Sequence, residues 1–286
     1  MHSEDEIVSS HLKLQPQVKT TQARPARSQI YPWYDSFWLN EYSNAKRIIR
    51  KIKPGALAAF EDAMQIFRTR PDFHVTAFKR LFDDTTMEKI RQVVRNLKAT
   101  DFELYEARQF KRLIVHDQAY FTELQHQLVP LVSEAAGELV EPHYNFLSLY
   151  SATGICPVHM DSPEAKWTID LCLNQSEPWP IWLSQIQTWP EVDVDSEANV
   201  RFEGDWEQAI RHSPSLGFEA YSMEPGQAIL FSGSSQWHYR NSMPTSSKNS
   251  FCDLLFLHFI PCGTLELSKP KNWAKLFNIP ELNKDE

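Results

Sequence analysis

Residues 157–175 read PVHMDSPEAKWTIDLCLNQ, which places a histidine and an aspartate two positions apart just before a run that predicts a strand. On an extended strand, side chains at positions i and i+2 point to the same side. His159 and Asp161 can therefore bind one ion together while Met160 faces away. Two residues do not make a metal site, so a second imidazole and a scaffold must come from elsewhere in the chain.

The spacing of apolar residues changes near residue 140. Between about 36 and 138 they recur every three to four positions, which predicts several helices, and Asp84 with Glu88 marks one helix start. After 140, short segments rich in aromatic and β-branched residues alternate with turn signals, which predicts many short strands. This order indicates an α+β protein with a β-sandwich or jelly-roll core behind a helical layer.

The same change predicts three parts. Residues 1–28 are polar and lack periodicity, which predicts a disordered tail. Residues 29–140 are expected to form a helical layer packed on the core, and residues 141–286 the strand-rich core itself. A long acidic segment at about 188–217 interrupts the strands, and its length predicts either a lid or a disordered insertion.

The third ligand is predicted in QWHYR, residues 236–240, where His238 follows an apolar strand and a bend of small residues. Two imidazoles and one carboxylate on one face of a metal form the ligand set of iron(II) sites that activate dioxygen, because the remaining positions stay open. His159, Asp161 and His238 are therefore the predicted catalytic and metal-binding residues.

The order of these segments resembles the iron(II)- and 2-oxoglutarate-dependent oxygenases over residues 143–261. The matching segments are the strand that ends at Tyr150, the turn at Gly154, His159-x-Asp161, KWTIDLCLNQ, PGQAILF and His238. The resemblance implies a cupin-like double-stranded β-helix whose trio binds Fe(II), a dioxygenase activity, and 2-oxoglutarate and O2 as co-substrates. Because relatives that transfer halogen lack the carboxylate ligand, Asp161 implies hydroxylation or another oxidation of an unactivated C–H bond.

The resemblance also implies a basic residue that pairs with the distal carboxylate of 2-oxoglutarate. Lys248 lies ten residues beyond His238, as in many relatives, whereas Arg240 lies two residues beyond it, on the ligand side of the strand. Some bacterial relatives resemble this His-x-Arg arrangement, which favours Arg240, and Lys166 is a third candidate. The expected hydroxyl donors to the same co-substrate are Tyr150 and Thr168.

Composition narrows the partners and the compartment. The formal net charge is -8 and no basic stripe appears, which argues against nucleic acid, since phosphate contacts need Lys and Arg. No apolar run approaches the ~20 residues of a membrane span, and cysteines without CxxC spacing predict a reduced, cytoplasmic protein. We expect a small-molecule substrate, and the acidic charge suits a cationic alkaloid or toxin intermediate of bacterial secondary metabolism.

Two other functions fit the same residues. One is a hydroxylase of an amino acid or a protein residue, and the other is a cupin-like module that binds metal without turnover. The aromatic residues of the first helical segment also suit a homodimer contact, although core packing explains them equally well. These residues are Trp33, Tyr34, Phe37 and Trp38.

Overall fold

The computed structural model describes residues 30–191, 202, 204–244 and 249–283. The predicted tail, residues 1–28, lies outside the described residues, and so does Lys248. Residues 192–201 and 203 of the predicted lid also lie outside them.

The strands of the described chain form two antiparallel sheets. They are β1 (Thr76–Phe78), β2 (Arg112–His116), β3 (Val140–Ser151), β4 (Cys156–His159), β5 (Trp167–Gln175), β6 (Ile181–Leu183), β7 (Glu219–Tyr221), β8 (Ala228–Phe231), β9 (His238–Arg240) and β10 (Phe251–Pro261). The larger sheet has the order β1-β8-β5-β10-β3-β2 and the smaller one β4-β9-β6-β7. From β3 to β10 the chain passes back and forth between the sheets, so the predicted double-stranded β-helix is confirmed.

Helices pack against the outer faces of both sheets. They are α1 (Phe37–Ile52), α2 (Leu57–Met64), α3 (Asp84–Arg95), α4 (Ala119–Gln127), α5 (Val129–Ala136), α6 (Trp206–Arg211) and α7 (Trp273–Leu276). One apolar core joins α3, α4 and α5 to the sheet through residues such as Ile90, Phe121 and Val132. The predicted α+β class with a helical layer is therefore confirmed.

The segment 29–140 is not helical throughout. The short strand β1 pairs with β8, and β2 pairs with β3, so this segment extends the larger sheet at both edges. These strands have three and five residues, too few to stand out between two helical patterns. The division into tail, layer and core stays a prediction.

Two helix boundaries differ from the prediction. Asp83 rather than Asp84 caps α3, because its extended backbone lets its Oδ1 accept the Thr86 N–H at 2.7 Å. The helical pattern over 120–139 splits into α4 and α5 at Leu128, just before Pro130, which has no N–H to donate within a helix.

Within the described ranges, no helix is both long and apolar enough to cross a membrane. All four cysteines are free thiols.

Strand β10 lies at the centre of the larger sheet, between β3 and β5. Its alternate residues Leu255, Leu257 and Phe259 face the helical layer, while Phe256 and His258 face the space between the sheets. One strand therefore supplies both the core and one wall of the interior.

Replacing Phe259 by Ala should test this arrangement. Phe259 is fully buried, so the substitution should lower the free energy of unfolding by about 3–5 kcal/mol through lost burial and a residual cavity. Urea denaturation followed by circular dichroism measures this value. Leu265→Ala, at a side chain that is 39% exposed, is the matched control and should change it by less than about 0.5 kcal/mol.

Candidate metal centre and its cavity

The predicted trio comes together at one end of the barrel. His159 is the last residue of β4, and His238, the first of β9, pairs directly with it. Asp161 Oδ1 lies 3.3 Å from His159 Nε2 and 3.5 Å from His238 Nε2. One ligand atom from each residue lies within 4.8 Å of the others, while Met160 is buried in the core.

Backbone carbonyls orient both imidazoles. His159 Nδ1 lies 2.8 Å from the Pro157 carbonyl oxygen, and His238 Nδ1 lies 3.0 Å from that of Gln236. Because a carbonyl oxygen only accepts, each Nδ1 carries a proton, and Nε2 is the nitrogen that can bind a metal. Each Nε2 is directed at Asp161. Burial alone would lower the pKa of His159, but Cys156 and Asp161 raise it well above its usual value, so His159 Nε2 releases a proton when a metal binds.

Asp161 is ionised and held in place. Burial alone would raise the pKa of Asp161, but the His238 and His159 imidazoles lower it well below its usual range. The Asp161 backbone N–H donates to the Gly233 carbonyl at 2.9 Å. A Cβ at Gly233 would lie 2.5 Å from the Ala165 carbonyl oxygen and closer still to Asp161 Oδ2, so the position requires glycine.

The trio lines a cavity of about 130 Å³ between the two sheets. The strand register shows which residues lie across the cavity from the trio. Thr168 of β5 pairs with Phe231 on one side and with His258 on the other. The Phe231 ring contacts the His238 ring at a centroid distance of 5.1 Å. His258 therefore lies across the cavity at about the level of the trio.

Arg240 lies two residues beyond His238 along β9, and its side chain lines the cavity. Its Nη2 donates to Asp170 Oδ2 at 2.6 Å, and its Nη1 donates to the Trp179 carbonyl. Burial alone would lower the pKa of Arg240, but the Asp170 carboxylate keeps it above its usual value. Arg240 is thus a buried cation at the inner end of the cavity.

A second arginine, Arg112, lines the cavity and has no counterpart among the residues predicted from the sequence. It forms a buried ion pair with Glu106, and its Nη1 donates to the Tyr150 hydroxyl at 2.7 Å. Arg112 lies on β2, a short strand within the segment that the apolar periodicity predicts to be helical. The only sequence signal was a short apolar run, RLIVH, with a single charge at its start.

Asp35 is another cavity residue absent from the prediction. Its backbone is left-handed, with φ 66°, and its Oδ2 accepts the Ser162 N–H at 2.8 Å. Burial and the nearby Asp161 charge raise the pKa of Asp35 to about 7. Nothing in the local sequence marks this residue, because its place at the site depends on how the segment just before α1 packs on the core.

The structure brings some of the predicted co-substrate residues to the cavity and not others. Arg240, Tyr150 and Thr168 all line the cavity. Lys166 does not line it, because its ammonium group donates to the Ile66 carbonyl at 2.7 Å and pairs with Glu138 at 2.6 Å. Lys166 is therefore the wrong candidate for the carboxylate partner, and Lys248 lies outside the described residues.

The four N-terminal aromatic residues differ in their exposure to solvent. Trp33 and Trp38 are each only 3% exposed and pack within the chain, whereas Tyr34 and Phe37 are exposed. Tyr34 lines the cavity, where its hydroxyl donates to Glu106 at 2.5 Å. The homodimer stays a prediction.

No family model and no curated protein matches the chain. Among solved structures, the non-heme alpha-ketoglutarate-dependent carbocyclase SnoK from nogalamycin biosynthesis is similar, with a TM-score of 0.50 and 11% identity over 73% of this chain and 89% of that one. The chain therefore has the fold of this enzyme.

Two further solved structures are similar at lower scores. EctD from S. alaskensis, with 2-oxoglutarate and 5-hydroxyectoine, has a TM-score of 0.49 and 15% identity, covering 70% of this chain and 76% of that one. AviO1 from Streptomyces viridochromogenes has a TM-score of 0.47 and 14% identity, covering 71% and 95%.

Replacing Gly233 by Ala should weaken metal binding although no ligand residue is replaced. The added methyl group would displace the Asp161 carboxylate, so we expect the Kd for Co(II) or Fe(II), measured anaerobically by calorimetry, to rise about 10- to 100-fold. Gly55→Ala is the matched control, because no atom lies within 4 Å of the added carbon. Equal affinities in the two variants would contradict the packing of Asp161 against Gly233.

Proposed function

We propose that this chain is an Fe(II)- and 2-oxoglutarate-dependent oxygenase that hydroxylates, or otherwise oxidises at an unactivated C–H bond, a small molecule. The observation that carries this proposal is that two imidazoles, each with its Nδ1 bonded to a backbone carbonyl, and one ionised carboxylate converge on one cavity of a double-stranded β-helix. Three ligands on one face are the set used by oxygen-activating iron(II). The fold shared with an alpha-ketoglutarate-dependent enzyme supports this function.

The trio fits iron because nitrogen and carboxylate ligands suit Fe(II) and each imidazole is already oriented by a backbone carbonyl. When bound, iron and 2-oxoglutarate supply the oxidation by O2, with release of succinate and CO2. The protein positions the reactants and keeps bulk water away, since His159, His238 and Arg240 are each less than 10% exposed.

The inner end of the cavity suits the distal carboxylate of the co-substrate. The Tyr150 hydroxyl accepts a hydrogen bond from Arg112, so its own proton stays available for a carboxylate oxygen. Arg240 lies on the same cavity wall as the metal ligand His238 and uses two of its donors on Asp170 and Trp179. We assign the carboxylate to Arg240, with Tyr150 as the supporting hydroxyl.

Thr168 lies at the level of the trio rather than at the Tyr150 end of the cavity. Tyr150 pairs with residue 252 of β10 and Thr168 with residue 258. Asp170, the partner of Arg240, is two residues from Thr168 on β5, which is about 7 Å along the strand. We therefore assign Tyr150 to the distal carboxylate and keep Thr168 as a candidate contact at the metal end of the co-substrate.

The acidic charge of the chain bears on the class of substrate. The net charge of -8 supports a cationic alkaloid or toxin intermediate of secondary metabolism, converted in the cytoplasm. A hydroxylase of an amino acid or protein residue is the alternative, and the exposed Tyr105 at the cavity would suit such a larger partner. A module without turnover would not need two buried arginines beside the metal ligands.

Anaerobic addition of Fe(II) and then 2-oxoglutarate should produce the weak visible charge-transfer band of the chelate. His238→Ala should abolish the band, because it removes one of three ligands, while circular dichroism stays unchanged. His126→Ala is the matched control at a histidine outside the cavity and should retain the band. A folded, iron-loaded wild type without the band would favour the cupin-like module.

Variants at the basic residues should identify the carboxylate partner. Arg240→Gln should raise the Kd for 2-oxoglutarate about 10- to 100-fold, as expected for losing a charge-assisted hydrogen bond of about 1.5–3 kcal/mol. Lys248→Gln should change it by less than about twofold. The band titrated with 2-oxoglutarate measures both values.

Because Arg240→Gln leaves Asp170 buried without its partner, the double variant Arg240→Gln, Asp170→Asn serves as the folding control. A large effect confined to Lys248→Gln, or to Arg112→Gln, would move the assignment to that residue.

A further inference from the structure

His258 is a buried cavity residue that the proposed chemistry does not use. It is 3% exposed and lines the cavity, and its Nε2 has no hydrogen-bond partner among the described residues. Buried polar atoms in native proteins are nearly always paired, so an orphan atom on a cavity wall indicates a partner that arrives from outside the chain.

The protonation of the His258 ring follows from its neighbour. The Thr168 hydroxyl donates to the Ala165 carbonyl at 3.3 Å, so its oxygen accepts from His258 Nδ1 at 3.0 Å. Nδ1 therefore carries the proton and Nε2 presents a lone pair. Burial lowers the pKa of His258 to about 3, which keeps the ring neutral and Nε2 an acceptor at neutral pH.

Aromatic neighbours fix the ring before any ligand binds. Tyr144 stacks on His258 at a centroid distance of 4.2 Å, and Phe146 stacks at 5.4 Å. With Nδ1 hydrogen-bonded and both neighbouring rings stacked, the direction of Nε2 is set in advance. Preorganisation of this kind lowers the entropic cost of binding.

The position of His258 assigns it to the substrate rather than to the co-substrate. It lies at the level of the trio, whereas Arg240 and Tyr150 lie deeper. A co-substrate that joins the metal ligands to Arg240 therefore extends away from His258. The ligand atoms that cluster for a metal do not include those of His258.

The geometry points to His258 as a specificity-determining residue, whose Nε2 accepts a hydrogen bond from a hydroxyl or N–H group of the substrate. This inference rests on the proposed function, since it places a small molecule beside the metal ligands. Asp35 supplies a second acceptor on the cavity, while Arg112 and Arg240 already pair with Glu106 and Asp170. The substrate is therefore expected to carry a donor near the C–H bond that is oxidised.

The experiment compares probes that differ by one donor. Cyclohexanol and its methyl ether are titrated into protein loaded with Ni(II) and 2-oxoglutarate, and ligand-detected NMR gives each Kd. The wild type should bind the alcohol about tenfold more tightly than the ether, as expected for one hydrogen bond to a buried acceptor. Cyclohexylguanidinium is a third probe, and tighter binding than cyclohexanol would assign the donor to a cationic group.

His258→Phe keeps the stacked ring and removes the nitrogen, so it should abolish the preference for the alcohol, bringing the ratio within about twofold of one. His116→Phe is the matched control, because this histidine also lines the cavity and its ring contacts Phe146 at a centroid distance of 5.5 Å. It should retain the preference. His258→Gln, with an amide oxygen as acceptor, should restore part of it and serves if His258→Phe fails to fold.

The outcomes separate this inference from the proposed function. A wild type that forms the Fe(II)–2-oxoglutarate band but shows no preference for the alcohol overturns the role of His258 alone. An unchanged preference in His258→Phe, or an equal loss in His116→Phe, does the same. A missing band in the wild type contradicts the oxygenase itself, whatever the probes show.

Discussion

The pairing of β4 with β9 is the constraint on which the site depends. It sets His159 directly opposite His238, so that both imidazoles enter the same cavity from one small sheet. A slip of one residue would turn either side chain to the opposite face, because side chains alternate along a strand. The register shifts between Cys156 and His159, so these two residues, three apart on β4, both line the cavity. Arg240 enters it because it lies two residues beyond His238 on β9.

The same cavity concentrates buried charge, which ordinarily costs stability unless every charge is paired. Arg240 is paired with Asp170 and Arg112 with Glu106, so neither arginine is an isolated buried cation. Asp161 faces the two imidazoles. Under the proposed function a metal would join these three residues, and the arginines, already held by their carboxylate partners, would lie ready for a negatively charged co-substrate.

Strand β10 connects these features to the rest of the fold. One of its faces fills the core under the helices with Leu255, Leu257 and Phe259, and the other presents Phe256 and His258 to the cavity. Because β10 lies between β3 and β5, it also fixes the distance between Tyr150 and Thr168. The helical layer therefore affects the site indirectly, by packing against the strand that forms its far wall.

The sequence by itself determined the architecture and the trio. The change of apolar period from 3.6 to 2 separates helices from strands, and His-x-Asp with QWHYR marks the ligands, because both signals are local and depend on strand alternation. Only the tertiary structure decided the remainder of the cavity. Arg112, Asp35 and His258 come from three distant segments, and Lys166 pairs with Glu138 away from the cavity. These positions depend on strand pairing and register across the sheets, which no short stretch of sequence encodes.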